Sequence, residues 1–452
     1  MPWPRPRVCW SRGNNMAGLD LLTANDDPGA YPATSYYTAT TKPLDALPEA
    51  GGEIACDVCI IGAGFTGLSA ALHMAQAGLD VVVLEAQRVG FGASGRNGGQ
   101  VAGGFNKSQV ELEKMQGQAR ARQLWDLGLE SVDLVRDLIR NHAPEAGFAP
   151  GIIEADHRAR FVPDSHAKAR HLNDAYDYDL IRPVDRDEMR QLIGSPAYYG
   201  GTLDMGGGHI HPLRFAVGLA RAALGAGARI FETSRVTGVT PGDPVVVTTG
   251  RARVKAGHVL WACNGYLGHA EPHVARHVMP INNFIAATEP LDDATARDLI
   301  RENHAVADSK FVINYYRLSE ENRLLFGGGE SYGYRFPSDI KSVVRKPMTQ
   351  IFPQLKGVRI DYAWGGTLGI TMNRMPHFAR LSDNMLSASG YSGHGVALAT
   401  LGGKLAAETI AGQAGRFDLL ADIPSAKFPG GAALRSPLLA LAMLWYSLRD
   451  RF

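Results

Sequence analysis

The sequence has few cysteines, no long apolar run and no excess of charge of either sign. Its 452 residues include 4 cysteines, too few for a disulfide framework in a chain of this size. Lys plus Arg number 46 and Asp plus Glu 45, so a net charge of +1 leaves no basic excess to neutralise nucleic acid phosphates. No stretch reaches the ~20 apolar residues of a membrane span. We therefore predict a protein of a reducing compartment, the cytoplasm, with no membrane span and no nucleic acid partner.

Two pairs of potential metal ligands are interpreted as structural. Cys56 and Cys59 form a C-x-x-C motif, but residues three apart on an extended strand point to opposite faces, so they could neither share a metal nor bond to each other. His209 and His211 have no acid or cysteine at ligand spacing and are interpreted as turn and cap residues. The sequence therefore predicts no metal site.

The stretch from Asp57 to Glu85 has the pattern of a strand, a glycine turn, a helix and a second strand. Val58–Ile61 and Val81–Leu84 are continuous apolar runs, which are typical of strands buried on both faces. Between them lie a helical apolar repeat and a G-x-G-x-x-G motif made of Gly62, Gly64 and Gly67. A unit of about 30 residues in this order is the fingerprint of a dinucleotide-binding fold.

Each position of the fingerprint has its own physical role. The first glycine makes a tight turn, the second lets the backbone approach a pyrophosphate, and the third lets helix and strand pack closely. The helix N-terminus then faces the phosphates. Glu85 would bind ribose hydroxyls and repel a 2′-phosphate, so NADP is disfavoured while NAD and FAD remain open. We also predict cofactor contacts from Phe65, Thr66, Ala86 and Val236.

Two further glycine-rich segments follow. Arg88–Gln100 has five glycines in thirteen residues, which indicates either flexibility or a close approach of backbone to a ligand. We favour the ligand because polar donors are interleaved with the glycines, and the predicted contacts are Ser94, Gly95, Arg96, Asn97, Gly98, Gly99 and Gln100. In Met385–Gly412 a short strand, a glycine turn and a helix repeat the opening pattern, with predicted contacts at Gly390, Gly393, His394, Gly395 and Val396.

The three segments together favour FAD over a nicotinamide cofactor. A nicotinamide enzyme needs only one such turn, whereas an extended FAD can use all three. We place adenosine and pyrophosphate at Gly62 to Glu85, the flavin ring beside Ser94 to Gln100, and its pyrimidine end near Gly393 to Val396. The positive end of the last helix would stabilise negative charge on the reduced ring.

Other segments have the periodicity of helices and hairpins. Gln118–Asn141 is predicted to be a long amphipathic helix, and Pro212 to begin another. Lys310–Gly329 is predicted to form a β-hairpin. Tyr315 and Tyr316 are adjacent on its first strand, so only one of them can face inward.

These motifs resemble the D-amino acid oxidase superfamily of flavoproteins. The resemblance covers roughly residues 55–415, and the segments that carry it are IIGAGFTGLSAALHMAQAG with Glu85, the ASGRNGG loop, AGARI after a Pro-led helix, LFGGG, and SGYSGHG. More narrowly, SYYTAT before the fingerprint and the segment from FPGG onward are similar to the γ-glutamylputrescine oxidase members.

The resemblance implies a mixed α/β fold with two domains. One is an FAD-binding Rossmann-type domain, and the other is a substrate domain built on a mixed antiparallel β-sheet. We assign residues 35–110, 205–272 and 365–430 to the discontinuous FAD-binding domain, and 111–204 and 273–364 to the substrate domain. Residues 1–34 are predicted to be a disordered tail and residues 431–452 a helical tail.

The resemblance also implies an FAD-dependent oxidoreductase that oxidises a C–N bond of a small-molecule amine. Hydride would pass to the flavin from the carbon that bears a neutral amine, the imine would hydrolyse, and molecular oxygen would be reduced to peroxide. For γ-glutamylputrescine, in putrescine catabolism, the products would be ammonia and γ-glutamyl-γ-aminobutyraldehyde. Oxidation of a free or N-methyl amino acid is an alternative, and a non-catalytic flavin-binding sensor or subunit is an alternative of another class.

Two departures from relatives in the superfamily bear on the flavin. The segment from Trp364 to His377 has no cysteine that could bond the flavin, so FAD is expected to be noncovalent. The RLLFGGG strand has no lysine to activate oxygen, so a dehydrogenase that passes electrons to another acceptor remains open.

The catalytic candidates are His394, Trp364 and Tyr315, with Tyr316 as the alternative to Tyr315. His394 would have an electrostatic or positioning role, or would be a turn histidine bonded to backbone. Trp364 would form a wall of the substrate cavity, or belong to the core. Arg317 and Arg335 could bind a substrate carboxylate, although a surface charge is the favoured interpretation of each. Hydride transfer from a neutral amine needs no side-chain base, and none is assigned.

Overall fold

The computed structural model of the protein describes residues 20–331 and 335–429. Residues 1–19 of the predicted tail and the predicted helical tail at 431–452 lie outside these ranges. The disorder predicted for residues 20–34 is wrong, because Tyr31 donates to Val89 O at 2.6 Å and Asp26 pairs with Arg96 at 2.7 Å. Its order comes from contacts with distant residues. The sequence of the segment, which has no periodicity of its own, could not show them.

Strands in the described ranges form two mixed β-sheets, the first of eight strands and the second of nine. In chain order the strands are β1 (Gly52–Ile61), β2 (Val81–Leu84), β3 (Gln100–Val101), β4 (Ala149–Ala155), β5 (Ile181–Val184), β6 (Gly201–His209), β7 (Arg229–Phe231), β8 (Gly238–Thr240), β9 (Val245–Thr248), β10 (Ala252–Trp261), β11 (Met279–Thr288), β12 (Ala305–Asp308), β13 (Tyr315–Leu318), β14 (Leu324–Ser331), β15 (Ile360–Ile370), β16 (His377–Ser382) and β17 (Met385–Ser389).

The α-helices lie on these sheets and between them. In chain order they are α1 (Tyr36–Thr40), α2 (Phe65–Gln76), α3 (Gln109–Gln116), α4 (Gln118–His142), α5 (Val162–Tyr176), α6 (Arg186–Leu192), α7 (Pro212–Gly225), α8 (Pro272–Ala275), α9 (Asp293–Leu299), α10 (Ile340–Ile351), α11 (Gly395–Ile410) and α12 (Gly415–Ala421). None of those in residues 20–331 and 335–429 combines the length and the apolar character needed to cross a lipid bilayer.

The first sheet has the strand order β16-β17-β10-β1-β2-β7, and β9 and β8 extend it from β10. Its centre is parallel, because β1 pairs in parallel with both β2 and β10. Val58 and Ile60 belong to one hydrophobic cluster, while Cys59 and Ile61 belong to another. The predicted burial of this strand on both faces is therefore confirmed.

The fingerprint unit occurs as predicted, as β1, α2 and β2. Gly64 is the N-cap of α2, so the helix begins directly at the glycine turn. Gly78 follows the helix with φ +86°, a value that favours glycine. All four residues of Val81–Leu84 are buried, as expected for a strand between layers.

The second sheet has the order β15-β11-β14-β13-β12-β4-β6-β3, with β5 on β6. Its neighbours pair antiparallel except for β4 and β12, which are parallel. Phe284, Tyr316 and Phe326 form part of its core together with Val344 and Met348 of α10. This is the mixed antiparallel sheet expected for the substrate domain.

Two predicted domain boundaries need correction, although the division itself stays a prediction. β6 and β15 belong to the second sheet, so residues 205–209 and 365–370 do not lie in the first. β3 also pairs with β6. A Cβ on Gly208 or Gly365 would lie within 2.7 Å of neighbouring atoms, so these glycines serve close packing inside strands.

The other predicted elements also occur. α4 and α7 begin at Gln118 and Pro212, and β13 and β14 form the predicted hairpin. His211 is the N-cap of α7, as predicted, and accepts from the Arg214 N–H. His209 is not a turn residue: it lies in β6 with Nε2 at 2.8 Å from Asn303 O. In the part of the chain that is described, no group of three His, Cys, Asp or Glu side chains could hold a metal ion.

Candidate active site

The glycine turn between β1 and α2 leaves no room for side chains. Gly62 has φ +107°, and a Cβ there would lie 2.9 Å from Ala262 O. A Cβ on Gly67 would lie 1.9 Å from Gly62 O, and one on Gly64 would lie 2.9 Å from Ser94 Oγ. Helix, strand and the following loop therefore meet at the closest distance that a backbone permits.

Glu85, the residue after β2, has a carboxylate held by two backbone amides. The Ala63 N–H donates to Oε2 at 2.7 Å and the Gln87 N–H donates to Oε1 at 2.9 Å. Burial raises the pKa of this carboxyl, and the backbone donors partly oppose that shift. These bonds fix an acid beside the glycine turn, where a ribose would be bound.

A single cleft joins all three glycine-rich segments. The predicted cofactor residues on its wall are Gly62, Gly64, Phe65, Thr66, Glu85, Ala86, Ser94, Asn97, Val236, Gly393, Gly395 and Val396. The wall is largely apolar, which is usual for a ligand site. A continuous cleft with a glycine cradle and a fixed acid fits an extended dinucleotide.

Comparison with known proteins decides the family. Residues 57–409, most of the chain, match the family described as FAD dependent oxidoreductase, DAO. The chain belongs to this family. It is therefore an oxidoreductase with FAD as its cofactor, and the resemblance to the D-amino acid oxidase superfamily is confirmed.

Two curated relatives match this FAD-dependent oxidoreductase over nearly their whole length. It is 42% identical to gamma-glutamylputrescine oxidoreductase of Escherichia coli (strain K12) over 92% of this chain and 98% of that protein. It is 40% identical to the probable oxidoreductase OrdL of Rhizobium meliloti (strain 1021) over 93% of this chain and 98% of that protein.

Solved structures share the fold at low sequence identity. Glycine oxidase from Geobacillus kaustophilus aligns with a TM-score of 0.69 at 19% identity, covering 83% of this chain and 100% of that one. L-proline dehydrogenase from P. horikoshii aligns with a TM-score of 0.66 at 20% identity, covering 81% of this chain and 94% of that one. The predicted combination of a Rossmann-type domain with a mixed sheet is thereby confirmed.

Several predicted cofactor residues of this oxidoreductase are not on the cleft wall. They are Gly67, Gly95, Arg96, Gly98, Gly99, Gln100, Gly390 and His394. A Cβ on Gly95 would lie 2.4 Å from Gly90 O, and one on Gly99 would lie 2.2 Å from Ile210 O. The close approach at Gly95 and Gly99 is therefore to neighbouring protein, whereas Gly92 of the same loop lies on the cleft wall.

Polar residues of the same loop are likewise bonded to protein. Gln100 Nε2 donates to Val306 O at 2.9 Å, and Asn97 accepts the Gly99 N–H at 2.7 Å. Arg96 is buried, with Nε donating to Phe91 O at 2.6 Å and Nη1 to Gly365 O at 3.2 Å. The loop is therefore fixed against the second sheet.

Tyr315 and Tyr316 face opposite sides of the second sheet. Tyr315 Oη donates to Asn283 Oδ1 at 2.5 Å, and its ring lies where a Cβ on Gly98 would be 2.7 Å away. Tyr316 is in the core, where Oη lies 3.2 Å from Tyr198 Oη. Of the pair, Tyr315 is the one beside the loop that borders the cleft.

The other two catalytic candidates occupy structural positions. Trp364 is 1% exposed, does not line the cleft, and donates from Nε1 to Arg96 O at 3.0 Å. His394 is the N-cap residue of α11, with Nε2 at 3.3 Å from Gly103 O. Burial lowers the pKa of His394, which favours a neutral ring. These contacts favour the interpretations in which Trp364 is a core residue and His394 is a turn histidine bonded to backbone.

The two candidate arginines differ. Arg317 is 5% exposed, so its interpretation as a surface charge is wrong. It donates to Gly98 O at 2.7 Å, to Ile210 O at 3.0 Å and to Tyr37 Oη at 3.2 Å. Arg335 is exposed and lines a separate pocket beside Trp364. Among the described residues, no Lys or Arg lines the FAD cleft.

Sequence reasoning missed several residues of the cleft wall, among them Leu22, Cys263, Asn264, Tyr266, Leu368 and Tyr391. Asn264 has φ +45° and accepts the Gly390 N–H at 2.9 Å. Its place at the end of a buried strand, before a glycine, was a usable signal. Leu22 gave none, because nothing in its neighbourhood of the sequence resembles a binding motif.

Proposed function

We propose that the protein oxidises the primary amine of γ-glutamylputrescine, giving γ-glutamyl-γ-aminobutyraldehyde, ammonia and hydrogen peroxide. The observation that carries this proposal is the 42% identity to a protein named gamma-glutamylputrescine oxidoreductase, over 92% of this chain. Bound FAD supplies the acceptor for the hydride that leaves the carbon next to the amine.

The arginines nearest the cleft bear on the choice between an amine and an amino acid. A carboxylate next to the reacting carbon would need a cationic partner, usually a bidentate arginine. The described wall of the cleft contains no Lys or Arg. The Arg317 guanidinium is engaged with two backbone carbonyls and Tyr37. The Arg96 guanidinium is engaged through Nε and Nη1 with two carbonyls and Asp26, whereas its buried Nη2 has no partner among the described residues. These contacts support a substrate whose reacting end is a simple primary amine, and the exposed Arg335 beside Trp364 is left as the candidate partner of a carboxylate.

We assign substrate orientation to Tyr315 and its partner Asn283. The Tyr315 hydroxyl is engaged with Asn283 at 2.5 Å, so the pair forms a rigid polar group beside the loop that borders the cleft. Trp364 and His394 would act indirectly, by holding the carbonyls of Arg96 and Gly103. None of these side chains needs to remove a proton if the amine arrives neutral. FAD is proposed to be bound noncovalently.

A second candidate is oxidation of a free or N-methyl amino acid. It is supported by the fold shared with glycine oxidase. For either substrate, the strand RLLFGGG without lysine leaves the electron acceptor open. The two candidates differ in where the substrate carboxylate lies, next to the reacting carbon or far from it.

The test is to measure flavin bleaching and peroxide release with γ-glutamylputrescine, putrescine, sarcosine and D-alanine in parallel. We expect fastest bleaching by γ-glutamylputrescine under anaerobic conditions, with peroxide formed in air. Bleaching by sarcosine or D-alanine instead would show that the substrate is an amino acid and not γ-glutamylputrescine. Bleaching without peroxide would show that the protein is a dehydrogenase.

A further inference from the structure

Residues 20–34, here called the N-terminal strap, are bonded to the first sheet and its cleft. Gln87 Nε2 donates to Leu22 O at 2.9 Å, and Tyr31 Oη donates to Val89 O at 2.6 Å. Gln87 and Val89 follow directly after β2 and Glu85. The strap therefore runs beside the end of the cleft where the fingerprint acid lies.

The same strap is bonded to the second sheet and to the segment that precedes α10. The Phe336 N–H donates to Asn25 Oδ1 at 2.7 Å. The Ala363 N–H, on β15, donates to Thr34 O at 3.1 Å. Because β15 is the edge strand of that sheet, the strap supplies an acceptor that the sheet lacks there. It thus connects the two sheets on one side of the FAD cleft.

Leu22 brings the strap to the cofactor site itself. Leu22 forms part of the wall of the cleft, together with Glu85 and Val236. The other wall residues lie from Ile61, the last residue of β1, onward in the chain. An apolar residue at this place covers the cleft and removes apolar surface of a bound ligand from water.

Asp26 provides the counter-charge for a buried cation. Arg96 Nη1 lies 2.7 Å from the Asp26 carboxylate, and the two side chains are 2% and 14% exposed. Two further acceptors of this guanidinium, Phe91 O and Gly365 O, are neutral carbonyls. Removing one partner of a buried ion pair leaves an uncompensated charge, which is strongly unfavourable.

We propose that the N-terminal strap is part of the FAD site, with Leu22 as a wall residue and Asp26 as a positioning residue. Asp26 acts through Arg96, which holds the loop that contains Ser94 and Asn97 against β15. Loss of either contact loosens the cleft and speeds release of FAD. This inference rests on the cofactor of the family and is independent of the substrate.

The test measures FAD binding rather than turnover. We would titrate the apoprotein with FAD and follow flavin fluorescence, and would follow release of FAD from the holoenzyme on dilution. Asp26→Asn should raise the dissociation constant of FAD by about tenfold or more, because the buried guanidinium loses its counter-charge. Asp26→Glu should recover part of the affinity. Asp27→Asn, at the exposed neighbouring position, is the matched control and should leave it unchanged.

A second variant keeps the test decisive if Asp26→Asn fails to fold. Leu22→Ser leaves the ion pair in place, so it should speed FAD release severalfold without changing the melting temperature of the apoprotein. Unchanged FAD affinity in Asp26→Asn, or an equal loss in Asp27→Asn, would overturn the role of Asp26. Unchanged FAD release in Leu22→Ser would overturn the role of Leu22.

Discussion

Two of the three glycine-rich segments that border the FAD cleft are held in different ways. The fingerprint turn is built mainly from neighbours in sequence: a Cβ on Gly67 would meet Gly62 O, and Ala63 is bonded to Glu85, although Gly62 also packs against Ala262. The loop from Ala93 to Gln100 is held by residues far along the chain, such as Ile210, Arg317 and Gly365. A glycine pattern therefore shows that backbone approaches something closely, but not whether that is a ligand or another part of the protein.

The largest effect should come from breaking the local segment. Gly67→Ala places a Cβ 1.9 Å from Gly62 O, which no rotamer can relieve because both atoms belong to backbone. We expect a loss of roughly 3 kcal/mol or more in the free energy of unfolding, together with loss of FAD binding. Urea unfolding of the apoprotein and flavin absorbance of the purified protein measure the two effects.

Gly225→Ala is the matched control, since a Cβ at this last residue of α7 has nothing within 4 Å. It should be neutral or slightly stabilising. If Gly67→Ala lowered the free energy of unfolding no more than Gly225→Ala, the fingerprint turn would not be fixed by close packing between its own residues.

The next effect tests the long-range loop. Arg317→Met removes the donors to Gly98 O and Ile210 O, and buried carbonyls left without partners each cost about 1–3 kcal/mol. We expect a loss of about 2 kcal/mol in the free energy of unfolding of the apoprotein, measured with urea.

Arg297→Met is the control on the surface of α9. It removes an arginine side chain that is 73% exposed, so it should change the free energy of unfolding little. Equal stability of the two variants would show that the loop does not depend on Arg317.

A smaller effect isolates one hydrogen bond of the loop. Trp364→Phe removes the donor to Arg96 O, whereas Trp261→Phe removes an indole N–H that has no partner among the described residues. Both side chains are almost fully buried, so the loss of volume is similar. We expect Trp364→Phe to be less stable than Trp261→Phe by about 1 kcal/mol in thermal or urea unfolding. A difference of the opposite sign would show that the hydrogen bond from Trp364 to Arg96 O does not stabilise the loop.

The smallest effect concerns pH and the local segment. Burial raises the pKa of Glu85, so the folded apoprotein keeps this proton to higher pH than the unfolded chain. Glu85 therefore contributes to the free energy of unfolding at low pH, and this contribution is lost as pH rises through the raised pKa. Glu85→Gln should therefore flatten this part of the stability curve.

Melting temperatures of the apoprotein across pH 4 to 7 would show this flattening, with Glu53→Gln at an exposed position of β1 as control. An unchanged slope in Glu85→Gln would mean that the glutamate does not titrate differently on folding.

Short-range pattern was sufficient for the fingerprint. The apolar runs of β1 and β2, the three glycines between them and Glu85 each have a physical reason within about 30 residues, so their spacing alone predicted the dinucleotide site. The same holds for the helices at Gln118 and Pro212, where periodicity and a proline give the boundary. The fingerprint alone left NAD and FAD open, so the choice of FAD and the resemblance to the family also needed the later glycine-rich segments.

Only the tertiary structure decided what the remaining residues contact. Arg317 and Arg96 are buried because the second sheet and the N-terminal strap cover them, and neither cover is visible in their own neighbourhood of the sequence. Trp364 became a partner of Arg96 O because β15 meets the loop. The sequence thus determined the elements whose hydrogen bonds and periodicity are local, whereas contacts between residues hundreds of positions apart depend on how the two sheets come together.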